Sequence, residues 1–327
     1  MRPTIYLRAL SLRALVSFIS FACFAEERFT PDHLASTYRD SAEALIQKAL
    51  NSDHGFERLA EMCDRFGPRF SGSATLEQAI DWALEEMKKD GFSKVRGEPV
   101  MVPRWVRGKE SLSITSPVEK SCRMLGLGGS VGTGPDGIVA EVLVVQSFEE
   151  LKANQVQAKG KIVLFNAPFT DYGATVVFRV RGAIEAAKAG AVASLIRSVG
   201  PFSMQTPHTG MMVYDDAVPR IPHAAITLED AMLLERMQER GDFLKLELHM
   251  EAQNMEPSLS RNVVAEIPGL ESPEEIVLIS GHIDSWDVGQ GAMDDGGGCL
   301  AMWEAARLIL KAGLLPRRTI RVVLWTN

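Results

Sequence analysis

Between Gly281 and Gly298 the chain reads GHIDSWDVGQGAMDDGGG, a stretch crowded with side chains that ligate metal ions. His282 and Asp284 are two residues apart, so on an extended backbone both side chains project to the same side and converge. A neutral imidazole is a good Zn²⁺ ligand, and a carboxylate that accepts its other N–H orients the ring and raises its basicity. In isolation the pair reads more simply as a hydrogen-bonded loop histidine beside a turn or helix cap. Asp294 and Asp295 shift that balance, because adjacent carboxylates repel unless a cation lies between them. Acids at a helix start are also ordinary N-terminal partners. A plain helix start, however, has no need of Gly291, Gly296, Gly297 and Gly298, which let backbone approach closely. Capping and metal binding are expected together. Asp287 fits a turn, an acceptor behind a ligand, or a substrate contact, and Trp286 fits a pocket wall or packing. His208 and His223 lack a paired acidic motif and read as structural or solvent-facing.

These residues need a scaffold. Ile276 to Ser280 is an apolar run that reads as a strand, and ligands of open α/β sheets bind beyond the carboxyl ends of strands. A helix from about Gly298 to Lys311 follows, stopped by Gly313 and Pro316, and Ile320 to Trp325 reads as a buried parallel strand. Strand, helix and strand make a βαβ unit, preceded by another strand at Asn262 to Ile267. Upstream, Leu76, Ala79, Ile80, Ala83, Leu84 and Met87 follow helical spacing, opened by a Thr75/Gln78 capping box and closed by Gly91. The segment GPRFSGS before it, Gly67 to Ser73, reads as a turn. From about Trp105 to Gln253 the texture changes to short β-branched runs. Strands are expected at 140–145, 161–165, 193–196 and 244–249, and helices at 182–190 and 230–237. Such a block reads as a second, smaller domain.

Composition bounds the partners. The 327 residues give room for two domains of ordinary size, and 46% hydrophobic with 24% charged residues is globular. With 35 basic against 42 acidic residues the net charge is −7, so no global positive field attracts nucleic acid. Residues 1–25 read as a secretory leader: Arg2, Arg8 and Arg13 precede an apolar run from Ala14 to Phe24, with small residues at Ala22 and Ala25. That run is about half the ~20 residues needed to span a bilayer, so removal rather than anchoring is expected, and no later stable span. Secretion or lysosomal delivery through the ER and Golgi would follow. Cys63, Cys122 and Cys299 remain after the leader, an odd set that reads as buried apolar residues, though one pair could bridge.

The order HxD, then GAxDD with glycines, resembles the M28 family of dinuclear zinc exopeptidases. GPRFSGS upstream and VVLWT over 322–326 extend the resemblance across nearly all of the chain after the leader. GKIVLFN, GAIEAAKAGA and VPRIPHAAIT resemble, in order and spacing, a protease-associated domain. The resemblance implies an α/β fold: a zinc-exopeptidase-like doubly wound mixed sheet, incomplete here, with an inserted protease-associated domain of β-rich α/β type. The implied divisions are a leader over 1–25, the peptidase domain over 26–107 and 261–327, and the insert over 108–260.

By position, the resemblance makes His282 a ligand of one zinc, Asp284 its orienting partner, and Asp294 the carboxylate bridging two Zn²⁺ ions. Asp295 would follow Asp294 across a peptide bond often cis in this family. Paired zincs lower the pKa of a bound water toward ~7 and polarise the scissile carbonyl. The implied substrates are dipeptides or short peptides with free termini, and the implied assembly is a homodimer. The family's glutamate pair is expected just after Thr326 and Asn327, with a later aspartate and histidine. Only His282 and Asp294 of its zinc-ligand positions are present, so the polypeptide alone is expected to be inactive and poorly stable. Two other readings stand beside this one: a shortened, non-catalytic secreted binding module built on the inserted block, and a single-zinc acyltransferase of the glutaminyl-cyclase kind.

Overall fold

The computed structural model describes residues 31–327, so the leader expected over 1–25 lies outside the described residues. Three helices come first: α1 (Pro31–Leu50), α2 (His54–Phe66) and α3 (Ala74–Asp90). Leu76, Ala79, Ile80, Ala83 and Met87 of α3 are buried at the predicted helical spacing. The cap differs from the prediction. The helix begins at Ala74, which leaves Thr75 inside the first turn, and Ser73 accepts from the Leu76 N–H at 3.1 Å.

β1 (Ser93–Val106), which hydropathy does not single out, pairs antiparallel with β10 (Gln253–Ile267), from Ser93↔Glu266 to Val106↔Gln253. Pro99 and Pro103 are tolerated in β1 because it is an edge strand. β10 pairs antiparallel with β12 (Arg318–Trp325), and β12 runs parallel to β11 (Ser272–His282), giving the order β1-β10-β12-β11. With α8 (Gly297–Lys311) between them, β11 and β12 form the expected βαβ unit. One face of this sheet carries Val263, Ala265, Val322 and Leu324 against α3 and α8, where Trp303 is wholly buried. Each such large apolar side chain contributes about 1.5–3 kcal/mol by leaving water. On the opposite face Glu266, 1% exposed, is held by Arg321 at 2.6 Å and Lys94 at 2.9 Å.

The long β1–β10 ribbon brings the departing and returning chain side by side, so everything between Val106 and Gln253 can build a second sheet. Its strands are β2 (Glu110–Ser116), β3 (Lys120–Cys122), β4 (Met124–Gly126), β5 (Ile138–Val145), β6 (Ile162–Phe165), β7 (Ala193–Arg197), β8 (His223–Ile226) and β9 (Lys245–Met250). They lie in the order β3-β2-β9-β5-β6-β7-β8-β4. Short helices α4 (Phe148–Ala153) and α5 (Gln155–Ala158) follow β5. Side chains alternate across the parallel strands: Ile162, Leu164 and Leu195 pack on α7 (Leu228–Glu239), Val163, Phe165 and Ile196 on α6 (Tyr172–Lys188). α6 starts ten residues before the expected Gly182, with Asp171 accepting from Ala174 N at 2.8 Å. Val176, Val177 and Phe178, strand-like by propensity, are drawn into the helix by burial. Cys63, Cys122 and Cys299 are buried and unbridged. Among the described residues, no helix is long and apolar enough to cross a membrane.

Candidate metal centre

His282 is the last residue of β11, paired with Trp325 in β12, so the carboxyl ends of two parallel strands open onto the same point. Its Nδ1 lies 3.0 Å from Asp284 Oδ1 and 3.2 Å from the Asp284 carbonyl. With acceptors on both sides of Nδ1, that nitrogen keeps its proton, and Nε2 is the atom that can ligate on giving up its own. Nε2 lies 3.0 Å from Asp294 Oδ1, and the Asp294 side chain is 77% exposed. The hydrogen bond to Asp284 is the largest cause that raises the imidazole pKa to about 9, against burial. The charges of Asp284, Asp294 and Asp295 add to it.

The adjacent aspartates divide their roles. Ala292–Gly296 is a single wide turn between Gly291 and α8, and the Asp294–Asp295 peptide bond is cis. Asp294 faces outward to His282, whereas Asp295 turns back and accepts the His282 backbone N–H at 3.0 Å through Oδ2. Neither caps a helix: α8 begins at Gly297, with Gly296 at its N-cap and no side-chain cap, so the expected capping role is replaced by these two contacts. The glycines follow from Asp295. A Cβ at Gly298 would fall 2.1 Å from its Oδ1, and one at Gly281 2.8 Å from its Oδ2.

Asp287 is engaged elsewhere. Arg107, at the end of the β1 segment and 9% exposed, grips both Asp287 oxygens at 2.7 Å, donates to the Gly126 carbonyl, and lies 3.7 Å from Glu110. Burial raises the Glu110 pKa against the pull of Arg107. Trp286 both packs and lines: its ring stands 5.3 Å from Phe70, which is 6.0 Å from Trp105. These aromatics, with Pro103, Met211 and the pair His282 and Asp294, bound a cavity of about 240 Å³. His223 is wholly buried in β8, and His208 is exposed beside Tyr172. Sequence reasoning passed over Arg69, Arg107 and Ser285. Of the three only Arg69 lies in a motif that the resemblance rests on, GPRFSGS, and the contacts that tie them to the metal loop, Arg69 with Ser285 and Gln290 and Arg107 with Asp287, span 180 residues or more.

The donor types suit zinc: an imidazole nitrogen backed by a carboxylate, and a second carboxylate beside it. Among the described residues, no third histidine, cysteine or acid joins them in a group able to hold an ion.

Comparison with known proteins places this geometry. The family model described as Peptidase family M28 matches residues 262–327. A crystal structure of a peptidase M28 precursor from Shewanella amazonensis SB2B superposes with a TM-score of 0.85 at 37% identity, covering 89% of this chain and 68% of that one. This chain belongs to peptidase family M28. Carboxypeptidase Q of Xenopus laevis is 52% identical to the M28 chain over 295 residues, 89% of this chain and 63% of that protein. Carboxypeptidase Q of Homo sapiens is 51% identical over 290 residues, 88% and 61%. The chain thus spans just over three-fifths of the length of these curated relatives. A zinc aminopeptidase from Bacillus subtilis shares the fold, with a TM-score of 0.61 at 23% identity.

Proposed function

We propose that this M28 protein is a zinc-dependent exopeptidase of the carboxypeptidase Q kind, hydrolysing dipeptides or short peptides with free termini. One observation carries the reading. His282 Nε2 and Asp294 Oδ1 meet 3.0 Å apart where parallel strands end, on the rim of an apolar cavity, with Asp284 behind the imidazole.

His282 and Asp294 are the residues that would hold zinc, and Asp284 keeps the Nδ1 proton so that Nε2 presents its lone pair. Asp295 fixes the His282 main chain. Zinc in this setting supplies Lewis acidity toward a peptide carbonyl and acidifies a bound water. Phe70, Trp105 and Trp286 offer an apolar wall beside the ligands to a peptide side chain. Two donors are fewer than the roughly four that a tetrahedral zinc takes. The described residues by themselves therefore bind zinc weakly but measurably and turn over dipeptides poorly.

Two metal ions per active site, a homodimer, and a protease-associated role for the second sheet belong to the same reading on resemblance. Passage through the secretory pathway rests on the Arg2 to Ala25 pattern. The test is zinc content and dipeptide hydrolysis of the protein before and after chelation. Hydrolysis that survives complete removal of metal would sink the zinc reading.

A further inference from the structure

The turn Gly67 to Ser73 is more than a connector. Arg69 in it is 0% exposed, yet its guanidinium makes no direct hydrogen bond to a carboxylate, and the Asp284 charge acts on it only from a distance. Its donors go to carbonyls instead: Nε to Ile283 at 2.8 Å, Nη1 to Gly67 and Gln290 at 2.8 Å each, and Nη2 to Gly291 at 2.9 Å. The main chain joins in, with Arg69 N donating to Ser285 Oγ at 2.9 Å and Ser285 N donating to the Arg69 carbonyl at 2.9 Å.

These partners lie on two limbs of one loop. Ile283 and Ser285 follow His282 directly, whereas Gln290 and Gly291 lead into the turn that presents Asp294. One rigid planar fork therefore spans the loop and fixes the separation of its limbs. The fit is close: Gly291 has φ +60°, and a Cβ there would fall 2.8 Å from Arg69 Nη2 and 2.3 Å from Ser285 Cβ. A fully buried guanidinium that makes no direct salt bridge, with the Asp284 charge only acting on it from a distance, is costly to keep, and ordinary loop packing does not call for one.

We infer that Arg69 is a positioning residue of the metal centre, tying the His282 limb to the Asp294 limb so that the two ligands meet. The inference rests on the zinc reading only for its functional consequence. The clamp itself is a property of the metal-free loop.

The experiment compares Arg69→Met and Arg69→Lys with the unsubstituted chain in two measurements. Lysine keeps the charge but, as a compact ammonium, cannot bridge both limbs, and it guards against a methionine variant that fails to fold. In amide hydrogen exchange of the metal-free protein, Ser285 and Gly296 should exchange at least about tenfold faster, while Ile162–Phe165 in β6 is unchanged. Unchanged exchange in both limbs overturns the clamp. In titration with Co²⁺ alone, the variants should bind about 10- to 100-fold more weakly, with an altered visible spectrum at saturation. A residue with a merely structural role would lower thermal stability and leave that spectrum and affinity alone, and this result overturns the positioning role. If the unsubstituted chain shows no cobalt binding, the zinc reading fails, while the exchange measurement still decides the clamp.

Discussion

Trp286 lies against Gly128 so closely that a Cβ on the glycine would fall 2.3 Å from the ring Cη2. The metal loop and the second sheet are therefore packed face to face, with no room for a methyl group between them. Gly128→Ala should destabilise the protein by about 1–3 kcal/mol, the usual range for overpacking. Because the strain is specific to the ring, Trp286→Phe should recover part of it, so that the double variant loses less than the sum of the singles. Urea titration of the four proteins measures this. Strict additivity would show that the contact carries no strain.

The ligand assignment makes a sharper demand. His282→Ala and Asp294→Ala each remove one of two converging donors, and either should abolish measurable zinc uptake in competition with a chromophoric chelator. Asp284→Asn keeps the shape but weakens the acceptor for Nδ1–H, held at 3.0 Å, and should cost about 10- to 100-fold in affinity. Stoichiometric zinc retained by His282→Ala would remove the assignment.

Much of this site was legible in the sequence, and the part that was not has a common physical cause. His-x-Asp and the glycine-flanked Asp294–Asp295 pair are local patterns, and a strand followed by a loop follows from hydropathy. The α3 and α8 helices announced themselves through apolar spacing. What local pattern could not give is the set of clamps on the loop. Arg69 meets Gln290 at a separation of 221 residues, and Arg107 meets Asp287 at 180. β1 was missed because Pro99, Pro103 and scattered charges suit an edge strand and read as a loop. The role of Asp295 was missed because an acid at a helix start is equally a cap until its neighbours in space are known.

Asp287 illustrates the difference between a substrate contact and a strut. Both of its oxygens are occupied by Arg107, which is almost wholly buried. Asp287→Ala leaves that cation with Glu110, 3.7 Å away, the Gly126 carbonyl and the face of Trp105, 5.0 Å away, but no close carboxylate. A loss of about 3 kcal/mol is expected, the lower end of the range for breaking a buried pair. Replacing both partners, Asp287→Leu with Arg107→Leu, should cost less than the single change, because no charge is stranded. Were Asp287 a substrate contact, the single variant would instead raise KM and leave the melting temperature in place.

His223 gives the second sheet a dependence on pH. Its ring is wholly buried between β7 and α6, with Nδ1 3.2 Å from the Ser194 carbonyl and Nε2 3.1 Å from that of Arg179. Burial is the dominant cause and lowers the pKa to about 4 from an ordinary 6.5, against the pull of those carbonyls toward the charged form. Between these two values the unfolded chain binds a proton that the folded chain refuses, so stability rises with pH across the window. The contribution is fully present above about pH 6.5 and is lost as pH falls toward 4, with a total on the order of 3 kcal/mol. Other acids titrate in the same range, so the informative quantity is a difference. Urea midpoints measured from pH 4.5 to 7.5 should fall more steeply on acidification for the unsubstituted protein than for His223→Gln, which has no proton to gain. Equal slopes for the two proteins would mean that the imidazole is already charged in the folded state, held by its carbonyl partners despite burial.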